Sequence, residues 1–252
     1  MAVMKGGPSL DELWESITPS RGTVEPTSFT GLPTAAQRYL RSAMPSGCFD
    51  ASAVRLRMHG EIKLKRWLPF TAEEVIRWGR GFIWEATVRA AGPLAIRGYD
   101  RLIDGEGAMC WNVLKKIPIL RAAGPDVTRS AAGRFAAELI WLPCALTQSA
   151  VRWSGKGPDE AVARVRIARE EVELHLHLDE NGGVERVQLS RWGNPDDMGH
   201  RHVSFGAVVE ERRAFSGITI PTRMRIGWYA GTERFESEGE FFRVTIDDAT
   251  WR

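Results

Sequence analysis

The chain has 252 residues, 43% of them hydrophobic and 26% charged, with a formal net charge of +2. That composition is ordinary for a globular protein, and the charge is too mild to argue for nucleic acid. No apolar run is long enough to span a bilayer, so no transmembrane segment is expected.

Three cysteines, Cys48, Cys110 and Cys144, are scattered and odd in number. They make neither a disulfide framework nor a metal motif. The first sixteen residues, MAVMKGGPSLDELWES, have no apolar core and do not read as a secretory signal. Together these features point to a reducing cytosol, so the expected localisation is cytoplasmic.

Residues 1–31 read as a lead-in. Ser9 and Glu12 form a capping-box pattern for a short helix, and Thr18 to Pro33 is linker-like. Thr34 is placed to cap a second short helix stopped by Pro45. From residue 32 to 252 a single domain is expected. Strands begin near Ala53, where Val54, Leu56, Met58, Ile62 and Leu64 alternate with Arg55, Arg57, Lys63 and Lys65. The usual meaning is a half-buried strand with a solvated basic face.

FTAEEVIRW, FIWEATVRA and LAIRGY follow, with turns at Gly79–Gly81 and Ala91–Pro93. If the third of these runs on, Leu94, Ile96, Gly98, Asp100 and Leu102 share a face, and Asp100 stands on an apolar side. Glu85 falls opposite Trp84 and reads as outward. Asp104–Gly107 is a hairpin turn leading into AMCWNVL. The run from Leu114 to Gly124 reads as an apolar loop, either a lid or a packed connection.

Asp126 to Trp153 is the one long helical signal. Ala131, Phe135, Leu139 and Leu142 make an apolar stripe, Asp126 is placed to cap the start, and Pro143 opens a second short helix to about Ser149. Arg134 and Glu138 are four apart and share a face. Exposed pairs being the common case, the first expectation is a surface pair; the alternative turns it toward a strand residue.

Strands then resume: VARVRIA, EVELHLHLD, VERVQLSRW, HVSFGAVVEERRAF, ITIPTRMRIGWY and RFESEGEFFRVTI. Pro221 suggests an edge or a bulge. About a dozen antiparallel strands cannot lie in one flat sheet. The predicted architecture is therefore mainly β with α: a strongly curved antiparallel sheet, an open half-barrel, with the helical block of about 126–149 covering its concave face.

Several runs resemble a widespread bacterial family of uncharacterised proteins, a domain of unknown function. They are Trp67–Ala72, Phe82–Ala86, Gly98–Asp100, Asp104–Gly107 and Arg134–Pro143, with likeness continuing through Val151–Trp153 to Pro221. The resemblance covers about Leu32 to the C-terminus. It implies a shape similar to the LolA and LppX type of half-barrel lipid-binding carrier. Unlike those carriers, the chain shows no signal peptide, which leaves apolar-ligand binding as the expectation.

His175 and His177 face the same way, opposite Leu174, Leu176 and Leu178, and His200 and His202 repeat the spacing. Four imidazoles could hold a transition metal. The alternation instead favours an outer face, so no metal and no cofactor is assigned. Asp100 with Arg134 or Glu138 is the stronger constellation. A buried acid needs a partner, and an ion pair fixing helix to sheet is expected ahead of catalysis.

No phosphate loop or nucleophile elbow is present. The expected function is non-enzymatic binding of a hydrophobic or amphipathic, lipid-like small molecule. Its expected contacts are Trp84, Asp100, Trp111, Arg134, Glu138 and Trp141, with Trp153 also on the cavity wall. The alternatives are an enzyme using the Asp/Arg/Glu cluster or a His-bound metal, and an interaction module with a packed core.

Overall fold

The computed structural model describes residues 7–17, 22–23, 29–44, 50–90, 95–113, 117–155 and 157–252. Cys48, the Pro45 stop, most of the predicted linker and the Ala91–Pro93 turn lie outside the described residues.

Among the described residues, thirteen strands form one antiparallel sheet. The first meander is β1 (Ala53–Lys63), β2 (Trp67–Arg77), β3 (Gly81–Arg89), β4 (Ala95–Ile103), β5 (Glu106–Val113) and β6 (Ile117–Ala123). The second is β7 (Arg152–Gly155), β8 (Glu160–Ile167), β9 (Glu170–Leu178), β10 (Val184–Gly193), β11 (Arg201–Phe215), β12 (Ile218–Trp228) and β13 (Glu240–Trp251). First and last strands join the halves, with Val54 opposite Trp251. β6 and β7 are the two edges, so the sheet is an open half-barrel.

Between those edges runs α3 (Pro125–Glu138), followed by the single turns Leu139–Trp141 and Pro143–Thr147. α3 packs against β4–β6 and also against β8–β10. One helix can meet both ends of a sheet only if the sheet curls around it. The helical block therefore lies in the hollow, as its buried stripe of Ala131, Phe135, Leu139 and Leu142 requires.

The details depart from the sequence pattern in several places. Ile117–Ala123 is not a loop: it pairs with β5, Cys110 opposite Arg121, and its apolar side chains stay exposed. Pro118 is tolerated there because an edge strand has one side without ladder bonds. Pro221 marks a bulge in an interior strand, since Arg212 faces Pro221 and Glu211 faces Arg223. Phe235–Gly239 coils into a short π-turn before β13 begins.

Thr34 and Asp126 do not act as the predicted caps. Thr34 is the first residue of α2 (Thr34–Ala43), with Pro33 at the cap position. α3 starts with Pro125 after Gly124, whose φ of 112° suits glycine. Asp126 instead accepts from Trp192 Nε1 at 2.8 Å.

The outer face also carries packing. α1 (Leu10–Glu15) has the expected Ser9/Glu12 capping box, and its Leu10, Leu13 and Trp14 cover Val75, Ile83 and Ile103. Val75 and Ile83 are thus buried on the side where alternation alone predicts solvent. The two arginines on the basic face of β1 are paired: Arg55 meets Asp11 and Glu73, and Arg57 meets Asp248.

Candidate functional site

Pairing across β2, β3 and β4 sets Glu74, Trp84 and Asp100 in one row on the concave face. Arg134 of α3 comes down onto that row. Its Nη2 donates to Glu74 Oε1 at 3.0 Å, its Nη1 to Asp100 Oδ2 at 3.2 Å and its Nε to Glu138 Oε1 at 2.5 Å. The guanidinium also lies 4.6 Å from the Phe82 ring centre and 5.0 Å from that of Trp84.

The Arg134–Glu138 pair is therefore not a surface pair. The Arg134 side chain is 18% exposed, and Glu74 is fully buried. The physical reason is that two sheet carboxyls on an apolar face need a cation, and the covering helix brings Arg134 down onto both.

Burial works against the charge on Arg134, but Glu138, Glu74 and Asp100 together hold its pKa above the ordinary arginine value. Burial drives Glu74 well above the usual carboxylate range, and the adjoining Glu138 adds to this. Glu138 and Asp100 are also raised by burial, against the pull of Arg134. Glu74 and Glu138 meet at the same guanidinium. Each also has a buried Oε2 that meets no donor among the described residues. Both follow from packing two carboxyls against one buried cation.

Beside this cluster, between α3 and the sheet, lies a cavity of about 440 Å³. All six predicted contact residues, Trp84, Asp100, Trp111, Arg134, Glu138 and Trp141, line it. Trp153 does not: it packs 6.3 Å from Tyr39, and its Nε1 donates to Leu146 O at 2.9 Å.

Trp111 lies over Gly98, where an added Cβ would sit 2.6 Å from the indole and 2.2 Å from Cys110 O. That absence of a side chain lets Trp111 Nε1 reach Asp100 Oδ1 at 2.9 Å. Trp141 is held at both ends, donating to Pro221 O at 3.0 Å and accepting at its carbonyl from Trp251 Nε1 at 3.1 Å. Trp84 Nε1 is buried with no partner among the described residues. At the rim, Leu64, Ile119 and Leu120 are exposed large apolar side chains that also line the cavity.

Two polar members of the site were not singled out from the sequence. Glu74 continues the inward alternation of Leu68, Phe70 and Ala72, so the signal was present. Arg191 continues that of Val187 and Leu189 on β10. It lines the cavity, with its pKa lowered to about 10 by burial and by Arg134.

The histidines do not converge. Leu174, Leu176 and Leu178 point inward, and His175 Nδ1 lies 2.8 Å from Glu160 Oε1. His200 and His202 instead flank the ring of Trp192. Among the described residues no group of three or more His, Cys, Asp or Glu side chains is placed to hold a metal ion.

Residues 30–251 match DUF6920, a family of unknown function. No curated protein matches the chain in sequence. Among solved structures, a Vibrio parahaemolyticus domain named for outer membrane lipoprotein sorting is similar at 7% identity and a TM-score of 0.41. That likeness covers 86% of this chain and 91% of the other. A LolA superfamily protein from Nitrosomonas europaea is similar at 11% identity and a TM-score of 0.40, covering 86% of this chain and 92% of that one.

Proposed function

This chain belongs to that family of unknown function, and from its own cavity we propose that it binds a hydrophobic or amphipathic small molecule between α3 and the curved sheet. The observation that carries this reading is the apolar hollow of about 440 Å³. Protein interiors pack to crystal-like density with few voids larger than a water molecule. An unfilled space of this size is at odds with a packed interaction module. It falls within the range of small-molecule sites, about 300–1,000 Å³.

The walls fit an apolar guest. Met58, Val88, Ile96, Met224 and Phe242 line it, together with Trp84, Trp111, Trp141 and Trp228. The exposed Leu64, Ile119 and Leu120 at the rim give an apolar molecule a path that never leaves apolar surface. The Arg134 cluster serves as a fixed floor: Glu74, Asp100 and Glu138 each bond the same guanidinium.

Native mass spectrometry after gentle purification, with displacement of a fluorescent apolar probe, tests the reading. The protein is expected to carry or take up one apolar molecule. Ala137→Trp, which puts an indole into the cavity from α3, is expected to abolish uptake without unfolding the protein. Wild-type protein that takes up no apolar probe, or an Ala137→Trp variant that binds it unchanged, would count against the cavity as the site.

A further inference from the structure

Arg134 has three carboxyl partners, whereas Arg191 has none among the described residues. Its Nε donates to the Ser130 carbonyl at 3.0 Å and its Nη2 to Ser130 Oγ at 3.3 Å. Nη1 has no protein partner among the described residues. The position is nonetheless built. The guanidinium lies 4.4 Å from the Phe205 ring centre and 5.3 Å from that of Trp228. Gly133, in the middle of α3, makes room for its stem: a Cβ there would sit 2.9 Å from Arg191 Cγ. Glycine inside a helix is less stable than alanine, because it gives up more backbone freedom on folding. The chain accepts that cost where Arg191 passes under the helix.

Arg191 also stands where two chambers meet. On one side is the apolar cavity. On the other is a smaller chamber of about 280 Å³ beside the first turns of α3. Arg191, Arg134, Asp100, Met109 and Trp228 line both. The charged walls of the small chamber are Arg101, Arg134 and Arg191 against Asp100 and Asp126, with His200 beside them. Arg134 and Asp100 are already paired. A guanidinium with free N–H groups at the end of an apolar hollow, facing a chamber with more cations than acids, is a receptor for an oxyanion.

Accepting the cavity as the binding site, we propose that its ligand is a single-tailed amphiphile with an anionic head, and that Arg191 holds the head while the tail fills the apolar cavity. A fatty-acid carboxylate and a lipid phosphate present the same oxyanion chemistry to Arg191.

The test uses the full chain and four probes with the same tail: laurate, dodecyl phosphate, dodecanol and dodecyltrimethylammonium, each competing with a fluorescent apolar reporter. An anionic head is expected to bind about tenfold or more tighter than dodecanol, the scale of one hydrogen bond to a charged group. The cationic head is expected to bind weakest. The ranking of laurate against dodecyl phosphate tells which oxyanion the site prefers. Arg191→Gln is expected to remove the anionic advantage and leave dodecanol unchanged, with Arg191→Lys restoring part of it. Equal binding of all heads, or an Arg191→Gln loss shared by every probe, overturns the assignment while leaving the cavity reading intact. Failure of every probe to bind wild-type protein sinks the cavity reading itself. If Arg191→Gln does not fold, the wild-type head-group ranking still decides.

Discussion

Arg134→Met offers the sharpest test of the polar floor. Methionine keeps most of the stem volume but leaves Glu74, Asp100 and Glu138 facing one another without their shared cation. Removing one partner of a buried ion pair costs about 3–5 kcal/mol. With a urea slope near 3 kcal/mol/M, the unfolding midpoint falls by about 1–2 M. The deficit also carries a pH signature. All three acids already have folded pKa values raised above their free values. Loss of Arg134 raises them further. Acids raised on folding contribute stability that is fully present below their unfolded values, about 4, and is lost as pH rises through the folded values. The deficit relative to wild type should therefore be smallest in acid and widen toward alkaline pH. Urea titrations followed by tryptophan fluorescence at acid, neutral and mildly alkaline pH measure both quantities. A loss under about 0.5 kcal/mol, the scale of ordinary surface changes, and flat with pH would refute the shared floor.

Glu74→Gln replaces a carboxyl that burial holds toward its neutral form with a neutral amide that still accepts from Arg134. It should match wild type in acid and exceed it as pH rises, because wild type alone loses stability when Glu74 ionises; thermal melts across pH would show the two curves diverging. Trp141→Phe strips the donor from the buried Pro221 carbonyl and should cost about 1–3 kcal/mol in urea titrations. Gly98→Ala drives a Cβ into Cys110 O and the Trp111 ring, and should cost about 1–3 kcal/mol while changing the near-ultraviolet tryptophan signal. Leu120→Asp changes an exposed rim residue, so stability should move by less than about 0.5 kcal/mol while uptake of an apolar probe slows in stopped-flow mixing.

The strands of both meanders were legible because each shows inward alternation and short turns. Leu174, Leu176 and Leu178 went inward and left His175 and His177 on the other face. α3 was legible from its stripe. Harder to read was any segment whose apolar residues answer to neither period. Ile117 to Leu120 stay exposed on an edge strand, so they carry no burial pattern, and β7 has only four residues. The Arg134–Glu138 pair was misjudged because helical spacing fixes only that two side chains share a face. Which face it is depends on the sheet, and the deciding residue was Glu74, whose place in the alternation of β2 is the same signal that identified Asp100. The closure of β1 on β13 joins the two ends of the domain and has no local signature at all.

The cluster and the cavity follow from one choice of side chains on α3. Of the residues it buries, Ala131, Ala132, Gly133 and Ala136 bring the helix axis close to the sheet but fill little volume, and Phe135 is its one large apolar side chain. A helix so poor in large apolar groups is weakly held by packing alone, since stabilisation scales with buried apolar area. Arg134 supplies the missing attachment by tying the helix to β2 and β4 through directional bonds at a fixed height. Because these bonds act at one point along the helix, the space beside Ala137 need not be filled for the helix to stay in place. Apolar residues at these positions could equal the stability of the ion cluster, as buried pairs replaced by hydrophobic groups often do. They would do so by collapsing onto the sheet and closing the hollow, so the polar floor is what lets the half-barrel keep an open interior.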